Sequence, residues 1–305
     1  MSLTAVISNI ARGSLHDGVG VRTVVYFKGC GLRCQWCHNP ETFEKKREIV
    51  YSPVKCIYCG KCTDAYPSCH IIENGQMRIV RERCTGCGQC AEFCPTGAIT
   101  LCGEEKTVEE VFQTILKDMH YYQSSNGGVT LSGGECLLQA DFCTELLKKC
   151  KDAGIHTAIE SALFVDYSKV EKVIPYVDFF YVDLKVANTL KHQKYTGQGN
   201  GLILDNIRRL SQMGKPIVIR IPLIPGVNDS SEDMRAFGEI IRGFSNGIKG
   251  IELLKYNPLA SSKYSSIGKE YYSFGFEPQK NETMLYLKDI LQKEIGKQCP
   301  VYFRK

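Results

Sequence analysis

Hydrophobic and polar positions along the chain follow two different rules. In VRTVVYFKGC (21–30), and again beyond residue 103, short apolar runs alternate with amphipathic stretches. GGVTLSGGE (127–135), IHTAIES (155–161), VDFFYVDLK (177–185), KPIVIRIPLIPG (215–226) and KGIELLKYNP (249–258) join that first run as expected strands, rich in β-branched and aromatic residues and bounded by Gly or Pro. Between them TVEEVFQTILKDMHYY (107–122), LLQADFCTELLKKCKDAG (137–154), LDNIRRLSQMG (204–214) and SEDMRAFGEIIRGF (231–244) read as helices, with Thr107 placed to cap the first and Gly154 to close the second. Alternating strand and helix predicts an α/β fold around a parallel sheet, as a full or partial barrel. Working residues then collect in the loops after the strands: Cys30–Cys37, Ser132–Glu135, Glu160 and Ser161, Asp183–Lys185, Arg220–Gly226, and Tyr256 with Asn257.

From about Val50 to Gly103 the apolar period disappears and cysteines crowd in. This stretch is expected to be an insert (50–103) with its own organising principle, flanked by the two parts of the barrel (1–49 and 104–305). A chain of 305 residues can bury a substantial core without staples, yet it holds 16 Cys in tight runs. Clustered cysteines in a chain of this size, beginning with no charged start or apolar export stretch, point to metal or catalytic sites in a reducing compartment. No run approaches the roughly 20 apolar residues of a membrane span. The net charge of +5 is modest and its Lys and Arg lie on solvated helical faces. A cytoplasmic monomer that binds neither nucleic acid nor membrane is the expectation.

The insert contains a near-repeat, KCIYCGKC against RCTGCGQC, each C-x2-C-x2-C, followed by Cys69 in one half and Cys94-Pro95 in the other. CTGCGQCAEFCPTGAI has the C-x2-C-x2-C-x3-C-P spacing of bacterial [4Fe-4S] ferredoxins, which favours iron–sulfur over paired zinc ribbons. If the fourth cysteine of each run crosses over, one cluster takes Cys56, Cys59, Cys62 and Cys94, and the other Cys84, Cys87, Cys90 and Cys69. CTDAYPSCH departs from the pattern, with six residues between Cys62 and Cys69 and no Pro after it. In KGCGLRCQWCHNPE, Cys30, Cys34 and Cys37 show C-x3-C-x2-C spacing with His38 adjacent. A Cys3His zinc site is one reading, but neighbouring residues of an extended loop point to opposite sides. Three thiolates on a four-iron cluster is the other, and it leaves one iron open to a substrate.

These residues resemble the radical S-adenosylmethionine enzymes, whose hallmark is C-x3-C-x2-C with an aromatic, here Trp36, before the last Cys. DGVGVR, SGGE, HTAIES, DLK, RIPLIPGVND and LLKYNPLASSKYSSIG then follow that family's glycyl radical enzyme activating branch in order, over nearly the whole chain. The resemblance is to the pyruvate formate-lyase activating enzyme family, in the subgroup with a two-cluster ferredoxin-like insert, which serves dehydratases, choline lyase and decarboxylases. It implies a partial (β/α)6 TIM-like barrel, three [4Fe-4S] clusters and S-adenosylmethionine. It implies two partners: a glycyl radical enzyme, presenting a C-terminal glycine loop, and a flavodoxin or ferredoxin-type reductant. The implied reaction is reductive cleavage to a 5′-deoxyadenosyl radical, which takes a hydrogen atom from a backbone glycine.

Residue by residue, the resemblance implies that Cys30, Cys34 and Cys37 hold the catalytic cluster. It places Trp36, Asn39, Gly133, Gly134, Glu135, Asp183, Lys185, Arg220 and Asn257 around the cofactor. Glu135 would face the methionyl amino group, and Asn257 stands where a close relative has His. Glu160, Ser161 and Asp183 would bind a monovalent cation, with Glu160 replacing a shorter Asp. Asp17, Gly18, Gly20 and Arg22 match an element that grips the partner loop, with Val19 in place of Pro, and His38 would lie near the mouth. Arg220 inside an apolar strand needs an anion, either the cofactor carboxylate or a structural partner such as Glu160 or Asp183.

Other features read as packing: Cys136, Cys143 and Cys150 at seven-residue spacing form a helical core stripe, and Met119, Tyr121 and Tyr122 close an amphipathic helix. Cys102 and Cys299 lack ligand spacing, and His16, His70, His120, His156 and His192 are scattered. Two other classes compete with an activator. A ferredoxin-like electron carrier leaves SGGE, DLK and RIPLIPG unexplained, and an enzyme of the same superfamily acting on a small molecule or RNA differs in its partner.

Overall fold

The computed structural model describes residues 3–244 and 247–304. Its strands are β1 (Thr4–Ser14), β2 (Arg22–Phe27), β3 (Glu48–Tyr51), β4 (His70–Glu73), β5 (Gln76–Ile79), β6 (Ile99–Cys102), β7 (Glu104–Thr107), β8 (Gly128–Gly133), β9 (His156–Ser161), β10 (Phe179–Asp183), β11 (Ile217–Pro222), β12 (Ile248–Leu254) and β13 (Val301–Phe303). Nine of them make one sheet in the order β13-β12-β11-β10-β9-β8-β2-β1-β7. The six strands read from the apolar runs, β2 and β8 through β12, are all present and pair parallel in that order. Helices such as Ala140–Asp152, Gly201–Gln212 and Ser231–Arg242 fall in the crossovers. The sheet is therefore α/β and mixed: β13 adds a parallel strand beyond β12, while β1 runs antiparallel to β2 and β7 antiparallel to β1.

Those three strands escaped the apolar reading for a physical reason. β1 carries polar and half-exposed positions along most of its length, and β13 has only three residues. The expected helix over 107–122 is also two, Val108–Leu116 and Met119–Ser125. Asp118 sits at the break, buried, accepting from Thr23 Oγ1 at 2.6 Å and from Arg12 Nη2 at 2.6 Å. A paired buried carboxylate at that point outweighs helix continuity. Thr107 caps the first helix in a reciprocal box with Glu110, as expected.

One large core fills the space between sheet and helices, from Ile7 and Phe27 through Leu131, Ile159, Phe180 and Ile219 to Leu253 and Leu291. The cysteine-rich stretch lies outside it. β3 and β6 pair antiparallel, Glu48 opposite Cys102 and Tyr51 opposite Ile99, and close a stem on the stretch between them. β4 and β5 form a hairpin within it. Its apolar cluster is small, built on Ile49, Met77, Cys90 and Ile99.

At the seam the Lys28 side chain is fully buried, its Nζ donating to Glu48 Oε1 at 2.8 Å and to the Glu41 carbonyl. Strand β2, the cysteine loop and the stem thus meet on one ammonium. Among the described residues no helix is long and apolar enough to cross a membrane.

Candidate active site

β2 ends at Phe27, and the chain turns through Gly29, φ +101°, into Cys30. The loop is pinned at both ends. Gly29 N donates to Thr42 O at 2.7 Å and Cys30 N to Phe43 O at 3.0 Å, while Arg33 N and Gln35 N donate to Thr196 O and Tyr195 O at 2.7 and 3.0 Å. Held this way, Cys30, Cys34 and Cys37 all face one cavity of about 340 Å³. Leu32 N–H donates to Cys30 Sγ and Asn39 N–H to Cys37 Sγ, each at 3.4 Å.

Burial, reinforced by neighbouring thiols, pushes all three up to about 12. Such sulfurs release their protons to a cationic centre, as iron–sulfur ligands do. Among the described residues no three His, Cys, Asp or Glu groups converge tightly enough to chelate a single ion. His38 lines the cavity but turns away from the thiols, donating from Nε2 to the Asn257 carbonyl at 2.8 Å. The donor set suits a polynuclear centre with one position open, not a closed Cys3His zinc site.

The same cavity is lined by the ends of β8 to β12: Ser132, Gly133, Gly134, Glu160, Ser161, Asp183, Lys185, Arg220 and, just beyond β12, Asn257, with Trp36 and Asn39 from the cysteine loop. A Cβ on Gly133, φ +116°, would lie 2.3 Å from Phe27 N, and one on Gly134 2.3 Å from Gly29 O. The glycines are required where the β8 turn presses on the end of β2, at Gly133, and on the start of the cysteine loop, at Gly134. Lys185 Nζ donates to Asp183 Oδ2 at 2.7 Å. Burial works against the Lys185 charge, but Asp183 and the Cys34 sulfur outweigh it and raise its pKa.

Arg220 bonds Glu160, donates from Nε to Glu252 Oε2 at 2.8 Å, and lies 4.1 Å over the Tyr181 ring. Burial again opposes the charge, and the two carboxylates hold the guanidinium above its usual range. Its anion is therefore structural first, Glu160 as anticipated and Glu252 in addition. Asn39 and Asn257 reach the cavity with their amide oxygens engaged, by Lys263 Nζ at 2.8 Å and Leu259 N at 2.9 Å.

Two expected site residues lie elsewhere. Glu135 is buried behind the wall, where it accepts from Ser161 Oγ at 2.7 and 2.9 Å and from Leu137 N at 3.3 Å. Burial pushes its carboxyl up to about 7, against those hydrogen bonds. Arg22 is fully buried, so it does not touch a partner directly. It donates to Thr130 Oγ1 at 2.6 Å and to the carbonyls of Val129 and, at 3.3 Å, Val19, and so props the 17–20 loop from beneath. In that loop Asp17 O accepts from Thr130 Oγ1 at 2.8 Å, Gly18 has φ +143°, and Gly20 packs so tightly that a Cβ would meet Ser125 O at 2.4 Å. Val19 is exposed at its tip.

In the insert, Cys56, Cys59, Cys62 and Cys94 line one small cavity together. Cys90 lies among Cys84 and Cys87, its thiol pushed up to about 11 by burial and then by their charge. Cys69 Sγ donates to Arg83 O at 3.2 Å, beside Cys84. Cys136, Cys143 and Cys150 are buried along their helical face, Cys102 packs near Lys28 Nζ at 4.0 Å, and Cys299 is buried apart. Tyr122 packs inward, whereas Tyr121 is exposed.

Comparison with known proteins gives the family. The radical SAM superfamily model matches residues 82–238, a 4Fe-4S dicluster domain 48–95, and a 4Fe-4S single cluster domain 16–66. The chain is 41% identical over 273 residues, 88% of each chain, to the choline trimethylamine-lyase activating enzyme of Oleidesulfovibrio alaskensis. It is 36% identical over 314 residues, 98% of this chain and 100% of the other, to the 4-hydroxyphenylacetate decarboxylase activating enzyme of Clostridium scatologenes. The chain belongs to the glycyl radical enzyme activating enzymes of the radical SAM superfamily. Streptococcus suis SuiB, bound to precursor peptide SuiA, shares the fold at 16% identity and a TM-score of 0.53, over 92% of this chain and 48% of that one.

Reasoning from sequence missed three residues of this activating enzyme's site. Glu252 stands opposite Arg220 in the β11–β12 register and also pairs with Arg304 Nε at 2.7 Å. An acid inside the apolar run IELL was the available signal, by the argument already applied to Arg220. Buried Asn228 ties two strand-end loops together, donating from Nδ2 to Lys185 O at 2.6 Å and Pro222 O at 2.7 Å. Phe274, in a segment without periodicity, packs against Trp36, Tyr195 and Tyr256 at 6.1 to 6.3 Å between ring centroids. No local pattern marks it.

Proposed function

We propose that this activating enzyme reductively cleaves S-adenosylmethionine and uses the resulting 5′-deoxyadenosyl radical to take a hydrogen atom from a backbone glycine of a partner glycyl radical enzyme. The observation that carries the reading is the shared cavity, with three thiols lacking a fourth ligand at one end and charged groups on successive strand ends at the other. Cys30, Cys34 and Cys37 hold a [4Fe-4S] cluster, which when bound supplies the electron for sulfonium cleavage.

The chain's own groups do the rest. Lys185 and Arg220 keep positive charge facing the cavity for the cofactor's carboxylate, each fixed by an acidic neighbour. Gly133 and Gly134 bring the β8 turn against the end of β2 and the start of the cysteine loop, and Trp36 and Asn39 close that side. Glu135 acts from behind, fixing Ser161 through its hydroxyl. Glu160, Ser161 and Asp183 supply oxygens for a monovalent cation. Asp17, Gly18 and Gly20, propped by Arg22, with His38 and Asn257 across the mouth, receive the glycine loop.

In this reading the sheet is the partial (β/α)6 barrel of the radical SAM type. Residues 50–103 are a ferredoxin-like insert holding two further [4Fe-4S] clusters, on Cys56, Cys59, Cys62 and Cys94 and on Cys69, Cys84, Cys87 and Cys90. The enzyme works as a cytoplasmic monomer fed by a flavodoxin or ferredoxin-type reductant. Anaerobic mixing with a reductant, S-adenosylmethionine and candidate partners, choline trimethylamine-lyase and 4-hydroxyphenylacetate decarboxylase among them, tests it. A glycyl radical signal by electron paramagnetic resonance, with 5′-deoxyadenosine formed, is expected. Fully iron-loaded protein that forms no 5′-deoxyadenosine sinks the reading.

A further inference from the structure

The two halves of the insert's repeat are alike in sequence and opposite in surroundings. Between the first and second cysteines of each run stand Ile57-Tyr58 and Thr85-Gly86. Tyr58 and Gly86 share a left-handed backbone, φ +54° and +71°. Gly86 uses it to press against the protein, since a Cβ there would lie 2.4 Å from Arg47 O, in the segment that leads from the catalytic cysteines into the stem. Tyr58 occupies the same conformation with a bulky side chain, a strained choice, and is 45% exposed. Gly60, two residues on, has no atom within reach of a Cβ. Cys59 and Cys87 are both exposed, but the 84–87 loop is anchored on the body of the enzyme at Gly86, whereas the 56–59 loop has no such anchor at Tyr58 or Gly60.

The unanchored loop is apolar where a folded surface should be polar. Val54 is 97% exposed and Ile57 63%, beside Tyr58 and the exposed thiol Cys59. An apolar cluster at this density marks a contact surface. Lys55 and Lys61 are exposed on either side, PVKCIYCGKC (53–62) contains no acid, and the first acid beyond it is Asp64. Small apolar centres with a charged rim suit brief redox encounters, whose interfaces are small and steered by charge.

We propose that residues 53–62 are the docking surface for this enzyme's electron donor, a small acidic one-electron carrier protein, which meets the insert over the Cys56–Cys59 loop. The carrier gives up one electron, taken up by the iron–sulfur group that Cys56, Cys59, Cys62 and Cys94 hold, with no bond or proton changing hands. The proposal rests on the ferredoxin-like reading of the insert.

Lys55→Glu/Lys61→Glu and, separately, Val54→Ser/Ile57→Ser test it, in full-length iron-loaded enzyme with an acidic bacterial flavodoxin as the probe. The charge reversal should weaken flavodoxin binding roughly tenfold or more and flatten its salt dependence. The apolar pair should weaken binding with the salt dependence kept. Flavodoxin-driven S-adenosylmethionine cleavage should slow in step at limiting flavodoxin. Iron content, and cleavage driven by dithionite, should match wild type. Unchanged flavodoxin binding by both variants, with iron intact, overturns the docking surface alone. A wild-type chain that loads no iron in the insert overturns the reading beneath it, and the proposal with it.

Discussion

The sheet domain and the cysteine-rich insert achieve order in different ways. The sheet encloses a continuous apolar core from β1 to β13 and the last helix, Asn281–Ile295, and can afford buried charges such as Lys28, Arg220 and Glu252 at its functional end. The cysteine-rich stretch has two short ladders and a small apolar cluster of Ile49, Met77, Cys90 and Ile99. A core that small does not hold fifty residues together, and in the proposed reading metal ligation supplies what apolar burial lacks. On that reading the thiols of the sheet domain are set on a preformed frame, whereas those of the cysteine-rich stretch are the frame.

The most severe test of that contrast removes ligands from each region in turn. On the proposed three-cluster reading, replacing Cys30, Cys34 and Cys37 with Ala should abolish 5′-deoxyadenosine formation, yet leave about eight iron atoms per chain and an unchanged thermal transition. Replacing Cys84, Cys87 and Cys90 should lower iron content and open residues 50–103 to limited proteolysis while the sheet domain stays resistant. An insert that remains protease-resistant without its thiols breaks the comparison.

Within the frame, Arg220→Met leaves Glu160 without its cation and Glu252 with Arg304 alone. It should cost about 3–5 kcal/mol in denaturant unfolding, as loss of one member of a buried ion pair does. A loss below about 1 kcal/mol would mean that water already reaches the pair.

Glu135 offers a pH test. Its folded-state carboxyl is raised to about 7 by burial, so its contribution to stability is complete below about pH 4.5 and disappears as pH rises through about 7. Across that window wild type should lose on the order of 3 kcal/mol relative to Glu135→Gln, seen as diverging thermal midpoints in metal-free protein. Parallel midpoints refute the buried carboxyl.

The smallest effect belongs to the seam. Lys28→Met leaves Glu48 unpaired and should cost about 2 kcal/mol, read as faster hydrogen exchange in β3 and β6 with little change in β8 to β10. Equal acceleration everywhere would make the two regions one cooperative unit.

Some of this was legible before any fold. The six parallel strands follow from runs such as IHTAIES and KPIVIRI, since a strand buried on both faces needs a continuous apolar segment. The cysteine groups follow from spacing, and Cys94 does join Cys56, Cys59 and Cys62 around one cavity. Less legible was anything defined by a side chain's direction. SGGE gave no sign that Glu135 turns inward to Ser161, and DGVGVR none that Arg22 disappears beneath its own loop.

What the sequence by itself determined is the chemistry: which residues are thiols, at what spacing, and on which strands the charged groups ride, because these depend on local composition and period. Only the tertiary structure decided which charges meet. Arg220 and Glu252 stand 32 residues apart and are joined by the parallel register of β11 and β12, and Asp118 ends a helix because Arg12 and Thr23 lie where its carboxylate can reach them. Pairing across strands is fixed by the packing of the whole core. It leaves no trace in the windows of a few residues from which a sequence is read.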